Sequence, residues 1–443
     1  MTINQTNQKP EPVVIEKDSK RFIDDPEEGL LEIKYGLPAT VAFCKRCVIS
    51  NQRPSSTIEF KHRAETERKS TIGFDEDGIC SACRVAEQKK EIDWEERERA
   101  LIELCDRFRS RNGSYDCLVP GSGGKDSAFA SHILKSQYGM HPLTCTWAPH
   151  RYTDIGWKNF QNWVDVGGFD NYLFTADGET HRTLTRLSYL NLCHPFQAFI
   201  IGQKNFAPRV ALRMGIPLVF YGEHEAEYGN NPEEFHIPTR DSKYFVQQEG
   251  DNEEPAFGGV PLSGLREYGI EPGKLDVYLP LSQAEHEASE IEIHYLGYYK
   301  RWTPQECYYY AVENTGFEAN PERTEGTYSK YNSLDDRIDG LHYWTTFIKF
   351  GIGRATYDAS QEVRNDHIIR EEGVALINRF DGEFPKKYYR EMLDYMGITD
   401  EQFWEVADNA RSPHLWRKVA GGWEQRHKID GEPKTFADGP GDN

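Results

Sequence analysis

The seven residues Gly121-Ser122-Gly123-Gly124-Lys125-Asp126-Ser127 restrict the fold of this chain more than any other stretch. A short apolar run, Tyr115 to Pro120, precedes them, and a helical pattern, Ala128 to Leu134, follows. Strand, glycine-rich turn and helix together make an anion-binding device. Small residues let the backbone close on a phosphate, and the helix N-terminus presents free N–H groups with partial positive charge. The run is not a Walker A loop, which needs a glycine where Val119 stands and a Ser or Thr where Asp126 stands.

Strand and helix patterns go on alternating around this turn. Strands are expected at 117–119, 143–147, 171–174 and 217–221, with helices over 127–138, 155–166 and between 180 and 214. Such alternation predicts an α/β fold, a doubly wound parallel sheet with helices on both faces. Ligands of such sheets bind beyond the carboxyl ends of the strands near a switch in strand order. The loops after Val119, Trp147, Phe174 and Tyr221 are therefore expected to surround one site.

Four regions follow along the chain. Residues 1–40 are polar and aperiodic, a disordered or loosely docked extension with contacts through Phe22, Leu30, Leu31 and Ile33. Residues 41–90 form a cysteine module. Residues 91–260 hold the α/β domain, opened by a charged helix with an apolar stripe of Trp94, Leu101, Leu104 and Phe108. Within this domain, 223–259 is an insertion with ten acidic and two basic residues, expected to be solvated or disordered beyond its first few positions. Residues 261–443 form a helical, aromatic-rich C-terminal region whose tyrosines suit a core or an interface.

Cys44-Lys45-Arg46-Cys47 and Cys80-Ser81-Ala82-Cys83 are two Cys-x-x-Cys knuckles. Each aims two thiolates at one point, and two such turns complete a tetrahedral Zn²⁺ site. An Fe–S cluster or a redox pair is the alternative. A closed four-thiolate shell leaves no open coordination position, so Cys44, Cys47, Cys80 and Cys83 are expected to hold a structural Zn²⁺ with no catalytic role. The other five cysteines, Cys105, Cys117, Cys145, Cys193 and Cys307, suit small buried hydrophobes. An odd total of nine argues against a disulfide framework and for a reducing compartment.

The formal charge of −20 speaks against a nucleic-acid partner, which calls for a basic face, and favours a small substrate. The mean hydropathy is −0.72, no apolar run reaches spanning length, and Met1 to Lys20 has no apolar core. The expectation is a cytoplasmic protein without membrane insertion.

The turn matches the S-G-G-x-D-S signature and resembles the pyrophosphate-binding PP-loop of the ATP pyrophosphatase superfamily, which splits ATP into AMP and pyrophosphate. The chain as a whole resembles the N-acetyl sugar amidotransferase family of bacterial O-antigen and pseudaminic or legionaminic acid clusters. The resembling stretches are Phe43 to Val48, Gly78 to Cys83, Pro120 to Ser127, Tyr328 to Tyr331 with Ser333 to Asp336, and Gly382 to Tyr388. The likeness runs from about 41 to 420.

The resemblance implies conversion of an acetamido group on a nucleotide-linked sugar to an acetamidino group, with ATP and Mg²⁺ as cofactors beside Zn²⁺. It places pyrophosphate on the turn formed by Gly121, Ser122, Gly123, Gly124, Lys125, Asp126 and Ser127, with Asp126 near Mg²⁺ and Asp126 and Ser127 essential. Lys125 either touches phosphate or faces solvent. Trp147 either borders adenine or sits in the core. Glu223 and Glu225 either serve Mg²⁺ and proton transfer or belong to a solvated loop, and Lys330 either offsets charge at the α-phosphate or solvates a face. Asp335 and Asp336 shape their loop. No cysteine stands in a glutaminase context, so ammonia is expected from a separate glutaminase, with partners similar to the subunits of imidazole-glycerol-phosphate synthase. The rival functions are a PP-loop tRNA sulfur transferase, which would need another catalytic cysteine pair, and a non-enzymatic zinc-binding adaptor.

Overall fold

The computed structural model describes residues 14–17, 20–60, 62, 67–247, 254–430 and 434–436. Its centre is a five-stranded sheet of β1 (Cys117–Pro120), β2 (Pro142–Trp147), β3 (Asn171–Phe174), β4 (Leu218–Tyr221) and β5 (Glu292–Tyr295). The order is β5-β4-β1-β2-β3 and every neighbouring pair is parallel. Alternate residues feed two cores. Leu118, Leu143, Cys145, Val219 and Ile293 face the helices Gly178–Leu192 and Gln197–Met214. Cys117, Val119, Leu218 and Phe220 face Trp94–Phe108 and Lys125–Ser136. This is the doubly wound arrangement, and the chain reverses its direction of sheet growth at β1. The crevice between the carboxyl ends of β1 and β4 is thus the switch point.

Three expectations change. The sheet does not close at residue 260, because β5 comes from 292–295 and pairs with β4 in register Ile293 to Val219. Four residues with only two apolar side chains gave no strand pattern of their own; pairing with β4 supplies it.

The acidic segment after β4 is not a solvated loop where it is described. Short 3₁₀ turns, the residues after them and a two-residue strand bury Ala226, Phe235, Phe245, Val246 and Phe257. Arg240 N–H donates to Ile293 O at 2.8 Å and Tyr295 N–H to Pro238 O at 3.0 Å, so the segment covers the edge of β5. A bare sheet edge would otherwise expose unpaired backbone groups. Residues 248–253 of the segment lie outside the described residues.

The N-terminal region also differs. Residues 1–13 lie outside the described residues, whereas Lys20–Asp25 and Gly29–Ile33 pair antiparallel. Leu31, Ile33 and Leu37 are buried while Leu30 is exposed. Lys34 N–H donates to Ser412 Oγ at 2.9 Å, and His414 N–H to Glu32 O at 3.2 Å. The docking partner lies almost four hundred residues away, which no local pattern could reveal.

The C-terminal region is helical as expected. Leu341, Trp344, Phe347 and Phe403 share the core of Leu187 and Tyr189, and a small sheet of Trp416–Val419, Gly422–Gln425 and Thr435–Phe436 ends the described chain. Among the described residues no helix is long and apolar enough to cross a membrane.

Candidate active site

The turn after β1 leads directly into the helix Lys125–Ser136. Gly123 has φ +82°, and a Cβ there would lie 2.7 Å from Phe160 Cα, so only glycine lets the helix of Phe160 approach. Gly124 caps the helix Lys125–Ser136 without a side chain, which leaves its first N–H groups facing outward. Ser127 Oγ donates to Gly124 O at 3.0 Å and holds the turn closed. A cavity of about 670 Å³ opens over Ser122, Gly124, Lys125 and Asp126, a size suited to small-molecule sites.

Asp126 is the hub of this wall. Lys125 Nζ lies 2.5 Å from Asp126 Oδ2, and the Trp302 indole donates to Oδ1 at 3.0 Å. Burial acts to lower the Lys125 pKa, but the Asp126 and Glu223 carboxylates more than offset it and raise it. Glu223 leaves the end of β4 and accepts from Tyr228 Oη at 2.5 Å. Burial first, and then the Asp126 carboxylate, push its pKa up to about 8. Two carboxylates at a switch point, one of them with its pKa raised by the other, fit a divalent ion with oxygen ligands. Asp126 and Glu223 would hold Mg²⁺ there.

Other expected residues separate. Glu225 lines the same cavity and lies 3.5 Å from Arg240 Nη2. Asp335 also lines it and bonds Ser122, its pKa raised by burial although that bond opposes the rise. Asp336 accepts from His150 N–H at 2.8 Å and from its Nδ1 at 2.7 Å, and so ties the loop after β2 to the C-terminal region.

Trp147 does not border the cavity. It is buried among Phe174, Tyr278 and Phe206, with ring centroids at 5.1, 5.2 and 5.8 Å, and Gly202 leaves room for its indole. Lys330 is exposed and donates to Pro321 O at 2.9 Å; its neighbours Tyr331, Asn332 and Ser333 line the cavity in its stead.

Sequence reasoning missed Trp302 and Tyr228, which orient the two carboxylates, and the buried Lys349, whose Nζ meets Glu59 at 2.7 Å. A tryptophan in an aromatic-rich stretch carries no sequence signal that separates it from its neighbours. A lysine within the apolar pattern of the helix Asp339–Phe350 does, because a buried ammonium needs a counter-charge.

The four cysteines converge. All are buried, with Cys44 Sγ 3.9 Å from Cys83 Sγ and Cys47 Sγ 3.7 Å from Cys80 Sγ. A tetrahedron with Zn–S bonds of about 2.3 Å has edges of about 3.8 Å, so the spacing fits Zn²⁺. The N–H groups of Cys80 and Cys83 point at Cys44 and Cys80 sulfurs at 3.3 and 3.4 Å, and Arg364 bonds Cys47, its own pKa raised by the thiolates against the effect of burial. The module also reaches the cavity. Cys80 caps the helix Ser81–Lys90, whose Lys89 Nζ holds Glu227 at 2.6 Å and Trp302 O at 2.8 Å.

The family model described as LPS biosynthesis protein WbpG-like, C-terminal domain, matches residues 325–429. An uncharacterised protein of Methanocaldococcus jannaschii is 29% identical over 91 residues, a match spanning 20% of this chain and 31% of that protein's length. Among solved structures, NMN synthetase from Francisella tularensis is 12% identical over 57% of this chain and 93% of its own, with a TM-score of 0.24. The U34-tRNA thiolase of Methanococcus maripaludis with its [4Fe-4S] cluster is 10% identical over 73% and 90%, TM-score 0.28. NAD⁺ synthetase from Burkholderia pseudomallei is 14% identical over 54% and 90%, TM-score 0.22. Residues 325–429, which follow the parallel sheet and its glycine-rich turn in the chain, are thus similar to the C-terminal domain of the WbpG-like LPS biosynthesis proteins.

Proposed function

We propose that this chain is an ATP-dependent, ligase-like enzyme of LPS biosynthesis that turns the acetamido group of a nucleotide-linked sugar into an acetamidino group. The observation that carries the reading is one cavity shared by the Ser122–Asp126 turn and by Tyr331, Asp335, Arg354 and Asp358, which belong to the segment matched to the LPS domain.

An amide carbon is a poor electrophile with a poor leaving group. The amide oxygen therefore attacks the α-phosphorus of ATP, the bond to the bridging oxygen breaks, and pyrophosphate leaves. Ammonia then adds to the imidate carbon, AMP departs with the former amide oxygen, and the amidine remains. The N–H groups of the turn bind the pyrophosphate, and Lys125 offsets negative charge beside it. Mg²⁺, when bound, neutralises phosphate charge between Asp126 and Glu223. Glu225, paired with Arg240, shapes the wall beside them. Cys44, Cys47, Cys80 and Cys83 would hold a Zn²⁺ that braces the module, with no open coordination position for a part in the reaction.

Each cysteine outside the cluster is buried, and burial raises the thiol pKa of all five, so none has the exposed thiolate a glutaminase needs. Ammonia is supplied by a separate glutaminase.

The test supplies the chain with ATP, nucleotide-linked acetamido sugars, and either ammonium or glutamine. The product should exchange one oxygen for NH with ammonium only, with AMP and pyrophosphate formed in equal amounts. ADP and phosphate, or amidine from glutamine without an added glutaminase, would overturn the proposal.

A further inference from the structure

Six cations line the cavity: Arg53, Lys69, Lys125, Lys204, Lys349 and Arg354. Four have carboxylates. Lys69 and Lys349 lie 3.3 and 2.7 Å from Glu59, Lys125 lies 2.5 Å from Asp126, and Arg354 lies 3.1 Å from Asp358. Arg53 and Lys204 have none within bonding distance among the described residues.

Arg53 is 6% exposed, and Nη1 donates to Pro54 O at 3.2 Å. Its guanidinium stands 5.7 Å from the Tyr357 ring centroid. Lys204 Nζ donates to Ser56 O at 2.6 Å; the carboxylate that bears on it through space, Glu225, is held by Arg240. Burial lowers the pKa of both side chains.

A buried cation without a counter-charge is expensive to keep, and the buried Arg53 beside the half-buried Lys204 in one cavity makes a standing demand for an anion. The thiolate cluster does not answer it, because Arg364 is the cation bonded there. Geometry limits the anion's size. The two head groups hang on carbonyls two residues apart, at most about 7 Å of extended chain, so with one hydrogen bond at each end the charged groups lie within about 13 Å of each other. Two positive charges at that separation match one phosphoryl or diphosphoryl group, whereas a single carboxylate would leave a charge over.

We propose that Arg53 and Lys204 form an anion subsite of the cavity that binds the phosphoryl group of the acetamido-sugar substrate, apart from the turn that binds ATP. The assignment rests on the acetamido-sugar reading above. Recognition by this subsite favours phosphorylated or nucleotide-linked sugars over free ones, and it uses charge and not the sugar's own hydroxyls.

Calorimetry on the full chain with Mg²⁺ and saturating α,β-methylene-ATP tests it. The probes are N-acetylglucosamine, its 1-phosphate and its UDP conjugate. The phosphorylated forms should bind the wild type more tightly than the free sugar. Arg53→Met and Lys204→Met should each weaken them by about ten-fold, as loss of one charge-assisted bond implies. Free-sugar and nucleotide-analogue affinities should stay within about two-fold, a change too small for one such bond. Lys204→Arg should restore the phosphorylated ligands, and Lys204→Met carries the test if Arg53→Met fails to fold.

Loss of α,β-methylene-ATP binding instead would assign the cations to ATP and overturn the subsite. So would a wild type that binds free and phosphorylated sugars alike. Because calorimetry measures no turnover, the two ideas fail separately. Charge-dependent binding by a chain that forms no amidine in the activity assay sinks only the reaction; amidine formation by a chain whose sugar-phosphate binding is indifferent to both cations sinks only the subsite.

Discussion

The cysteine cluster and the cavity over the phosphate turn differ first in where the chain draws their groups from. Two tetrapeptides supply every sulfur of the cluster and most N–H groups aimed at it, and all four cysteines are buried. The cavity is assembled from stretches near 53–59, 122–126, 193–204, 223–228, 302 and 331–361. A site closed by local turns spends its binding energy on folding. A site gathered from distant segments can keep groups out of balance, and this one keeps a Glu223 whose pKa is pushed up by burial and by Asp126 and, among the described residues, two cations without carboxylates. Lys89 and Arg364 join the two regions, so the closed one braces the open one.

The largest effect to test that contrast is loss of the metal. Purified chain should contain one Zn²⁺, and Cys44→Ser should release it and lower stability by several kcal/mol, since ion binding in such modules is folding energy. Elemental analysis with chemical denaturation checks both. A folded protein with no metal, or with iron, breaks the comparison at its closed end.

Asp126→Asn probes the open end. The substitution keeps the side chain's size and its contact with Trp302 but removes the charge facing Lys125 and the ion. AMP and pyrophosphate formation should fall by at least about 10²-fold, the usual cost of losing one preorganised electrostatic group. The melting temperature should barely move, because Asp126 lines a cavity and fills no core. Ser127→Ala should cost less, its hydroxyl being occupied by the Gly124 carbonyl. A large fall in stability with Asp126→Asn would make the turn a structural element.

How much of this was legible follows from how local each feature is. The turn 121–127, the four core strands around it and the two knuckles are fixed by neighbours within a few residues, and their boundaries in the structure fall within about two residues of the sequence pattern. Trp147 and Lys330 each had two readings open, and the structure places Trp147 in the core and Lys330 on an exposed face. Position next to a motif cannot choose between such readings, because side-chain direction is set by partners that no motif names, Gly202 for Trp147 and the Pro321 carbonyl for Lys330. Trp302, Lys89 and Lys204 matter through residues more than a hundred positions distant, and Arg53, although it bonds the adjacent Pro54 O, faces the distant Tyr357 ring. The fifth strand and the folded acidic segment support each other and have no pattern when read singly.

The smallest expected effect concerns Glu223 and sharpens what imbalance in the open site costs. Its folded pKa, about 8, lies above the ordinary value of 4.5 because burial and the Asp126 carboxylate disfavour a second negative charge. The native state therefore binds a proton that the unfolded chain has already lost, and stability must fall as pH rises from about 4.5 through about 8. One group can contribute a slope of at most about 1.4 kcal/mol per pH unit. Glu223→Gln cannot ionise, so the difference in unfolding free energy between wild type and variant should shift towards the variant across that window and level off above it. Millimolar Mg²⁺ should flatten the wild-type slope, since a cation between Asp126 and Glu223 compensates the second carboxylate, and should leave the variant's unchanged. Denaturation at several pH values, with and without the ion, reads all of this. Parallel curves for wild type and variant would mean that Glu223 is ionised in the apo protein and that the switch point carries its two negative charges without strain.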